Sequence, residues 1–324
     1  MTDVDAVLLV GFGGPEGPDD VMPFLRNVTR GRDVPEGRLQ EVAGHYLEVF
    51  GGVSPINQQC RELQAAVQQA LPELPVYRGN RNWDPFLGEA MKQMASEGRR
   101  HALAVVTSAF PSYPGCRQYQ EDIARALVPD GPQVSKLRHF YNEPGFLDTM
   151  RRNVAAEGLS DARLVFTAHS IPVSLAKTSG PSGDAYVTTL ETAAAQIAGE
   201  RRWDLVFQSR SGPAHVPWLE PDISDHLRTI DDTEVVVVPL GFVSDHVEVV
   251  FDLDIQAAGV AKEQGVTMRR ARTVGTDPEF VQMLAGLVRE RIAGPELEDH
   301  GGLATHDRCP AQCCPSPPAR SPRG

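Results

Sequence analysis

Imidazole and carboxylate side chains gather at the ends of two apolar runs in this sequence. In LVFTAHSIPVS, residues suited to a buried strand lead into His169 and Ser170, and Pro172 then stops the strand. In GFVSDHVEVVFDLD, the run EVVVVPL gives way to Gly241 and then to His246, Glu248 and Asp252. An imidazole beside a carboxylate binds borderline divalent metals such as Fe²⁺, Co²⁺ or Zn²⁺. The same pair takes and passes protons near neutral pH. A single histidine is more often a buried one bonded to neighbouring backbone. Two histidines and a glutamate at strand ends are harder to explain that way. There is no HExxH and no regular Cys/His zinc spacing in this region, so the pattern suits a metal in transit better than a permanently held zinc.

Other chemistries fit less well. Ser170 is a conceivable nucleophile, but AHSIP is not the G-x-S-x-G elbow and lacks the glycines for its sharp turn, which leaves a hydrolase as the runner-up class. GFGGPEG at Gly11 lacks both the G-x-G-x-x-G spacing and a Gly-Lys-Ser/Thr, so it reads as a tight strand-to-loop turn rather than a phosphate cradle. Asp245 followed by Glu248 has capping-box spacing and predicts a helix starting near His246. On that helix Glu248 and Asp252 share one face, where like charges are unfavourable unless a cation, a proton or water relieves them.

The elements that must position these groups alternate in type. Six apolar runs start at Ala6, Leu74, His101, Ala162, Trp203 and Glu234. They are near-continuous in Val, Leu and Ala, as expected of strands covered on both faces of a parallel sheet. Helical patterns such as CRELQAAVQQAL and YVTTLETAAAQIAGE lie between them, giving βαβ units. The runs form two sets matching in order, which predicts two similar α/β halves meeting near residues 140–155. In such sheets ligands bind at the carboxyl ends of the strands. After Gly294 the chain is a Gly/Pro-rich polar tail without periodicity, which unaided is expected to be disordered.

Composition sets limits. The 324 residues are 41% hydrophobic and carry a net charge of −12, which argues against nucleic acid as the main partner. No run approaches the roughly 20 apolar residues of a membrane helix. The first ten residues have acids where a secretory signal has bases, so a cytoplasmic location is expected. In such a chain the crowded CPAQCC near the end, with Cys309, Cys313 and Cys314, is more often metal-binding or redox-active than a disulfide framework.

Taken together, VLLVGFGGP, TRGR, GGVSPIN, VFTAHSIP, WLEPDI and GFVSDHVEVVFDLD resemble the ferrochelatases from about residue 5 to 290, and in detail their actinobacterial branch. The resemblance implies a chelatase-type α/β fold of two Rossmann-like halves, 1–145 and 146–293, around a cleft, followed by a Cys-containing tail, 294–324. It implies insertion of Fe²⁺ into coproporphyrin III late in haem biosynthesis. Protoporphyrin IX is the alternative substrate, and a haem or metal carrier or a cobalt chelatase is a more distant reading. It assigns His169 and Glu248 to the iron site, with His246 in support, and leaves open whether His169 binds iron or accepts a pyrrole proton. Phe12 packs on the macrocycle, where another branch has a tyrosine; having no oxygen, it cannot ligate iron. Asn82 stands where that branch has a histidine, and the acidic row runs Glu248, Asp252 and then Gln256, one charge shorter. The substrate's propionates want fixed donors, for which Arg30, Arg32, Ser54, Tyr119 and Gln208 are candidates. The branch often carries a 2Fe–2S cluster on one internal and three C-terminal cysteines. That points here to Cys116, Cys309, Cys313 and Cys314, with Cys60 left over and a labile redox tail or zinc as the rival. The expected partners are the porphyrin, Fe²⁺ and transient contacts with neighbouring haem-pathway enzymes, for a chain expected to be monomeric.

Overall fold

A computed structural model describes residues 3–31, 34–213, 215–294 and 306–317. The strands are β1 (Ala6–Gly11), β2 (Val76–Asn80), β3 (His101–Val106), β4 (Gln133–Lys136), β5 (Arg163–His169), β6 (Trp203–Gln208), β7 (Glu234–Val238) and β8 (Thr267–Arg270). They form two four-stranded parallel sheets, ordered β2-β1-β3-β4 and β6-β5-β7-β8. The same order in each half is the two-half α/β fold that the strand pattern predicts. β4 and β8 go beyond the six predicted strands. Both are four residues long and only partly buried, QVSK and TMRR, so they carry no apolar run to find. They close sheet edges, where one flank of the strand is left unpaired and a polar sequence is tolerated.

The helices are α1 (Val21–Val28), α2 (Glu36–Phe50), α3 (Pro55–Ala70), α4 (Leu87–Ser96), α5 (Gln118–Ala126), α6 (Pro144–Ala156), α7 (Val173–Lys177), α8 (Ala185–Ala198), α9 (Ile223–Thr229), α10 (Val247–Val249), α11 (Ala258–Glu263) and α12 (Pro278–Ala293). Several start on a proline, in α3, α6 and α12, where the missing N–H costs nothing and the fixed φ suits the first turn. No described helix is long and apolar enough to cross a membrane.

Alternation along each strand divides its side chains between two cores. In β1, Ala6, Leu8 and Val10 pack on Met91, Met94 and Ile123 of α4 and α5. Val7 and Leu9 face the opposite way, into a core that also holds Leu164, Phe166 and Val236 of the second sheet. Phe146 and Met150 of α6 and Phe280 and Leu284 of α12 fill the same core. The halves are therefore joined through a shared apolar layer. Burying each of these large side chains contributes roughly 1.5–3 kcal/mol.

A separate apolar cluster lies over the strand ends. Phe24, Leu25, Leu39, Ala43 and Tyr46 from α1 and α2 surround Phe12 and Trp83 and reach Val247 and Phe251 of the second half. His45 of α2 stacks on Phe251 with ring centroids 3.7 Å apart. The β1–α3 excursion thus roofs the cleft rather than thickening either sheet.

Candidate active site

β5 ends on His169, and parallel pairing sets it opposite Gln208, the last residue of β6. The His169 ring is oriented locally: Nδ1–H donates to the Ser170 carbonyl at 2.5 Å, which leaves Nε2 toward Glu248. The His169 carbonyl accepts the Tyr186 hydroxyl at 2.8 Å. Ser170 is occupied structurally. Its N–H donates to the Gln208 carbonyl and its hydroxyl to the Leu219 carbonyl, each at 2.8 Å, and it is buried. A hydroxyl held in this way is no nucleophile, so Ser170 does not carry the hydrolase alternative.

Glu248 enters from α10. Its carboxylate Oε1 lies 3.6 Å from His169 Nε2, with the two side chains 44% and 31% exposed. That gap is too long for a direct hydrogen bond. Bonds of about 2 Å from each atom to one divalent ion would span it. The Gln208 amide donates to the Glu248 carbonyl at 2.7 Å, fixing the backbone that carries the carboxylate. The cap of α10 differs from the predicted one. His246, not Asp245, is the cap, its Nδ1 accepting from the Glu248 N–H at 3.2 Å. Asp245 is diverted to Arg270 at 3.3 Å, and its N–H donates to Gln59 at 2.9 Å, a tie between the halves. Sequence spacing cannot register that competition.

These neighbours separate the protonation behaviour of the three groups. Burial pulls the His169 imidazolium down, but the Glu248 carboxylate outweighs it and His169 ends above its ordinary value. His246 goes the other way: burial, assisted by positive charge on His169, holds it below the ordinary value despite Glu248. Desolvation works against ionisation of Glu248, but His169 and then His246 overcome it and hold the carboxyl down to about 2. The His169 imidazole is thus shifted toward its protonated form beside an ionised carboxylate, while His246 is shifted toward its neutral form.

After α10 the helix widens into a π-helix over Val250–Ala257, a form that often marks functional sites. Asp252 lies on it and accepts a hydrogen bond from the Ser209 hydroxyl. Burial and the charge on Glu248 push its carboxyl up to about 7. Ser209 adopts φ +63°, which few non-glycine residues do. Gln256, farther along the same helix, is exposed.

Phe12 lies under the roof, edge-on to Phe24 at 6.3 Å. The guanidinium of Arg81 sits 5.8 Å from the Phe12 ring centroid and 4.7 Å from that of Tyr119, and pairs with Asp122 at 2.9 Å. Ser54 and Tyr119 are both buried, Ser54 against Gly14 and Tyr119 under Arg81. Arg30 is exposed, and Arg32 lies outside the described residues. Of the four described candidates for the propionates, Arg30, Ser54, Tyr119 and Gln208, only Gln208 is gathered with His169 and Glu248. Ser209, Gln59, Arg81 and Tyr186 escape sequence reasoning, because each acts through a partner distant in the chain.

A second cluster forms where the tail meets the first half. Cys116 Sγ lies 4.0 Å from Cys309 Sγ, and Cys313 Sγ 3.9 Å from Cys314 Sγ. The Gln120 amide donates to Cys309 at 3.3 Å, and His306 Nε2 is 3.8 Å from Cys313. The Arg117 guanidinium donates to the carbonyls of Pro310, Ala311 and Cys313. Residues 306–317, expected to be disordered unaided, are thus fastened by backbone contacts, with His306, Asp307, Cys313 and Cys314 buried. Cys60 is elsewhere, beside Gly11, and burial pushes its thiol up to about 11.

Comparison with known proteins matches the ferrochelatase family model over residues 4–292. A coproporphyrin III ferrochelatase of Streptomyces griseus is 47% identical over 359 aligned positions, covering 98% of this chain and 94% of that protein. One from Frankia alni is 50% identical, covering 99% and 88%. Among solved structures, SirB from Bacillus subtilis with Fe³⁺ superimposes with a TM-score of 0.56 at 12% identity, covering 89% of this chain and 95% of that one. At that identity the likeness shows the chelatase fold alone.

Proposed function

This chain belongs to the ferrochelatase family, enzymes of the lyase class, and from that premise we propose that it inserts Fe²⁺ into coproporphyrin III to give coproheme III, with release of two pyrrole protons. The observation that carries this reading is the 3.6 Å approach of His169 Nε2 to Glu248 Oε1 at the rim of the cleft. Metallation exchanges N–H protons for a cation, so the site must present a base and a negative charge to the same face of the macrocycle. His169 accepts a pyrrole proton or holds the iron, and Glu248 offsets whichever positive charge is present. Neutral His246 supports Glu248 by capping its helix. Asp252 and Ser209 continue the route by which iron arrives or protons leave. Phe12 and the roof residues pack on the opposite face, and Arg30, Arg32, Ser54, Tyr119 and Gln208 serve the propionates and cleft walls. In this reading residues 1–145 and 146–293 are the two halves, 294–324 is the tail, and the enzyme works in the cytoplasm.

The tail cysteines fit a 2Fe–2S cluster. Support comes from the contacts Cys116–Cys309 and Cys313–Cys314, with Cys309 and Cys313 within 4.8 Å of each other, since such a centre takes four thiolates, and Gln120 donates to Cys309. His306, Cys309 and Cys313 place their donor atoms within 4.8 Å of one another, which makes a Cys/His set for zinc the competing occupant. When bound, a cluster would supply a one-electron couple and a cross-link between tail and first half.

The deciding experiment is anaerobic assay of the purified chain with Fe²⁺ and, side by side, coproporphyrin III and protoporphyrin IX. Faster metallation of coproporphyrin is expected. Metallation of neither porphyrin refutes the activity, and a preference for protoporphyrin refutes the substrate.

A further inference from the structure

The segment between His169 and Ser179 is a closed loop of chain, and one residue outside it grips both ends. The Tyr186 hydroxyl donates to the His169 carbonyl at 2.8 Å, while the Tyr186 N–H donates to the Ser179 hydroxyl at 2.8 Å. Ser179 completes the grip: its hydroxyl donates to the Ala176 carbonyl at 2.5 Å, and its carbonyl accepts the Ala185 N–H at 3.2 Å. Ser179 is wholly buried and Tyr186 nearly so, which shields these bonds from water. The next residue, Gly180, has φ +73°, and a Cβ there would stand 2.4 Å from that of Ala185, so the backbone is tightly confined. Its N–H donates to Cys314 Sγ at 3.1 Å. One covalent step therefore separates the tail thiol's contact at Gly180 from the Ser179 grip, and Tyr186 connects that grip to the peptide carrying His169.

We infer that Tyr186 is a positioning residue for His169, and that the Cys314–Gly180 contact couples the cysteine-bearing tail to that positioning. The inference rests on the role given to His169 above. Nδ1 of His169 is tied to the carbonyl of the adjacent Ser170, so the direction of Nε2 follows the 169–170 backbone rather than free rotation of the ring. Releasing the His169 carbonyl lets that backbone tilt and carries Nε2 away from Glu248. Small displacements of a reacting group are costly: about 1 Å can cost on the order of a hundredfold in rate. The coupling passes along contiguous hydrogen bonds and a short covalent path, and a double-mutant cycle tests it directly.

The test uses the full-length protein with Tyr186→Phe, Cys314→Ala and the double variant. Phenylalanine keeps the ring's packing and removes only the hydroxyl. Tyr186→Phe is expected to lower kcat for Fe²⁺ insertion into coproporphyrin III about tenfold while KM for each substrate stays within about twofold. The ring resonances of His169, labelled with ¹³C, should shift. Cys314→Ala should shift the same resonances and speed amide exchange at Gly180 and Tyr186. In the Tyr186→Phe background it should add less than its own separate effect. Unchanged His169 resonances or an unchanged kcat in Tyr186→Phe overturns the positioning role. Full additivity in the double variant overturns the coupling to the tail. A wild-type protein that metallates no porphyrin refutes the chelatase reading, while the resonances still decide whether Tyr186 orients His169.

Discussion

His169 Nε2 faces Glu248 Oε1 across 3.6 Å, one delivered by the end of a buried strand and the other by the first turn of a helix from a different βα unit. Neither side chain approaches the other through local geometry. β5 and β7 pair directly, and the loop after β7 folds back so that the Gly241 N–H donates to the Thr167 carbonyl at 3.0 Å, beside the end of β5.

That pair predicts a pH signature. If His169 must be neutral to accept a proton, kcat/KM rises with pH through a value above the ordinary 6.5 for histidine. Glu248→Gln removes the main raising charge, so the acid limb should move to lower pH while kcat falls on the order of a hundredfold. His169→Ala should abolish the limb and nearly all activity. Anaerobic pH–rate profiles check both.

The same pair links stability to pH. His169 is raised in the folded state, so its contribution is complete below about 6.5 and fades as pH rises through the folded value. Glu248 is depressed, so its contribution is present above 4.5 and is lost as pH falls toward about 2. The pair therefore stabilises most between those ordinary values, and Glu248→Gln should lower stability there and flatten the slopes on either side of that window, as measured by denaturant unfolding.

Asp252, pushed up to about 7, is the other group titrating in the working range. Asp252→Asn keeps a hydrogen-bonding partner for Ser209 but cannot ionise. It should slow metal insertion about tenfold or more and remove any inflection near neutrality from the kcat profile. A profile identical to that of the unmodified protein would take Asp252 out of the route.

For the tail, Cys116→Ser or Cys309→Ser should abolish visible absorption and bound iron with acid-labile sulfide in anaerobically purified protein, whereas Cys60→Ala should leave both unchanged. Zinc in place of iron and sulfide, lost in His306→Ala, would identify the Cys/His set as the occupant.

Gly241→Ala tests the architecture beneath the site. A Cβ at Gly241 would lie 2.8 Å from both Cα and Cβ of Ala168, the residue before His169. Overpacking of this kind should cost roughly 1–3 kcal/mol in chemical denaturation.

Much of this was legible in advance, for definable reasons. The runs AVLLVG, RLVFTAH and EVVVV are apolar without alternation because both faces of their strands are covered, so they declare a parallel sheet. His169 stood out because it ends such a run, and the adjacent Ile-Pro stops it. QVSK and TMRR declared nothing, since edge strands need no apolar run. The cap of α10 is not legible from spacing, because Asp245 pairs with Arg270 of β8. The π-helix over Val250–Ala257 has no signature in residue type or spacing.

The sequence by itself determined six of the eight described strands, helical segments between them and the identity of the groups able to handle a cation and a proton. These follow from burial, periodicity and side-chain chemistry, which are properties of the residues and their near neighbours. Only the tertiary structure decided which groups meet: Glu248 with His169, Ser209 with Asp252, Cys116 with the tail cysteines, and Tyr186 with the loop that carries His169. Those meetings depend on sheet order and loop return, and they shift the proton affinity of similar side chains in opposite directions. His169 and His246 are the same residue type. The carboxylate 3.6 Å away outweighs burial for His169, while for His246 burial prevails.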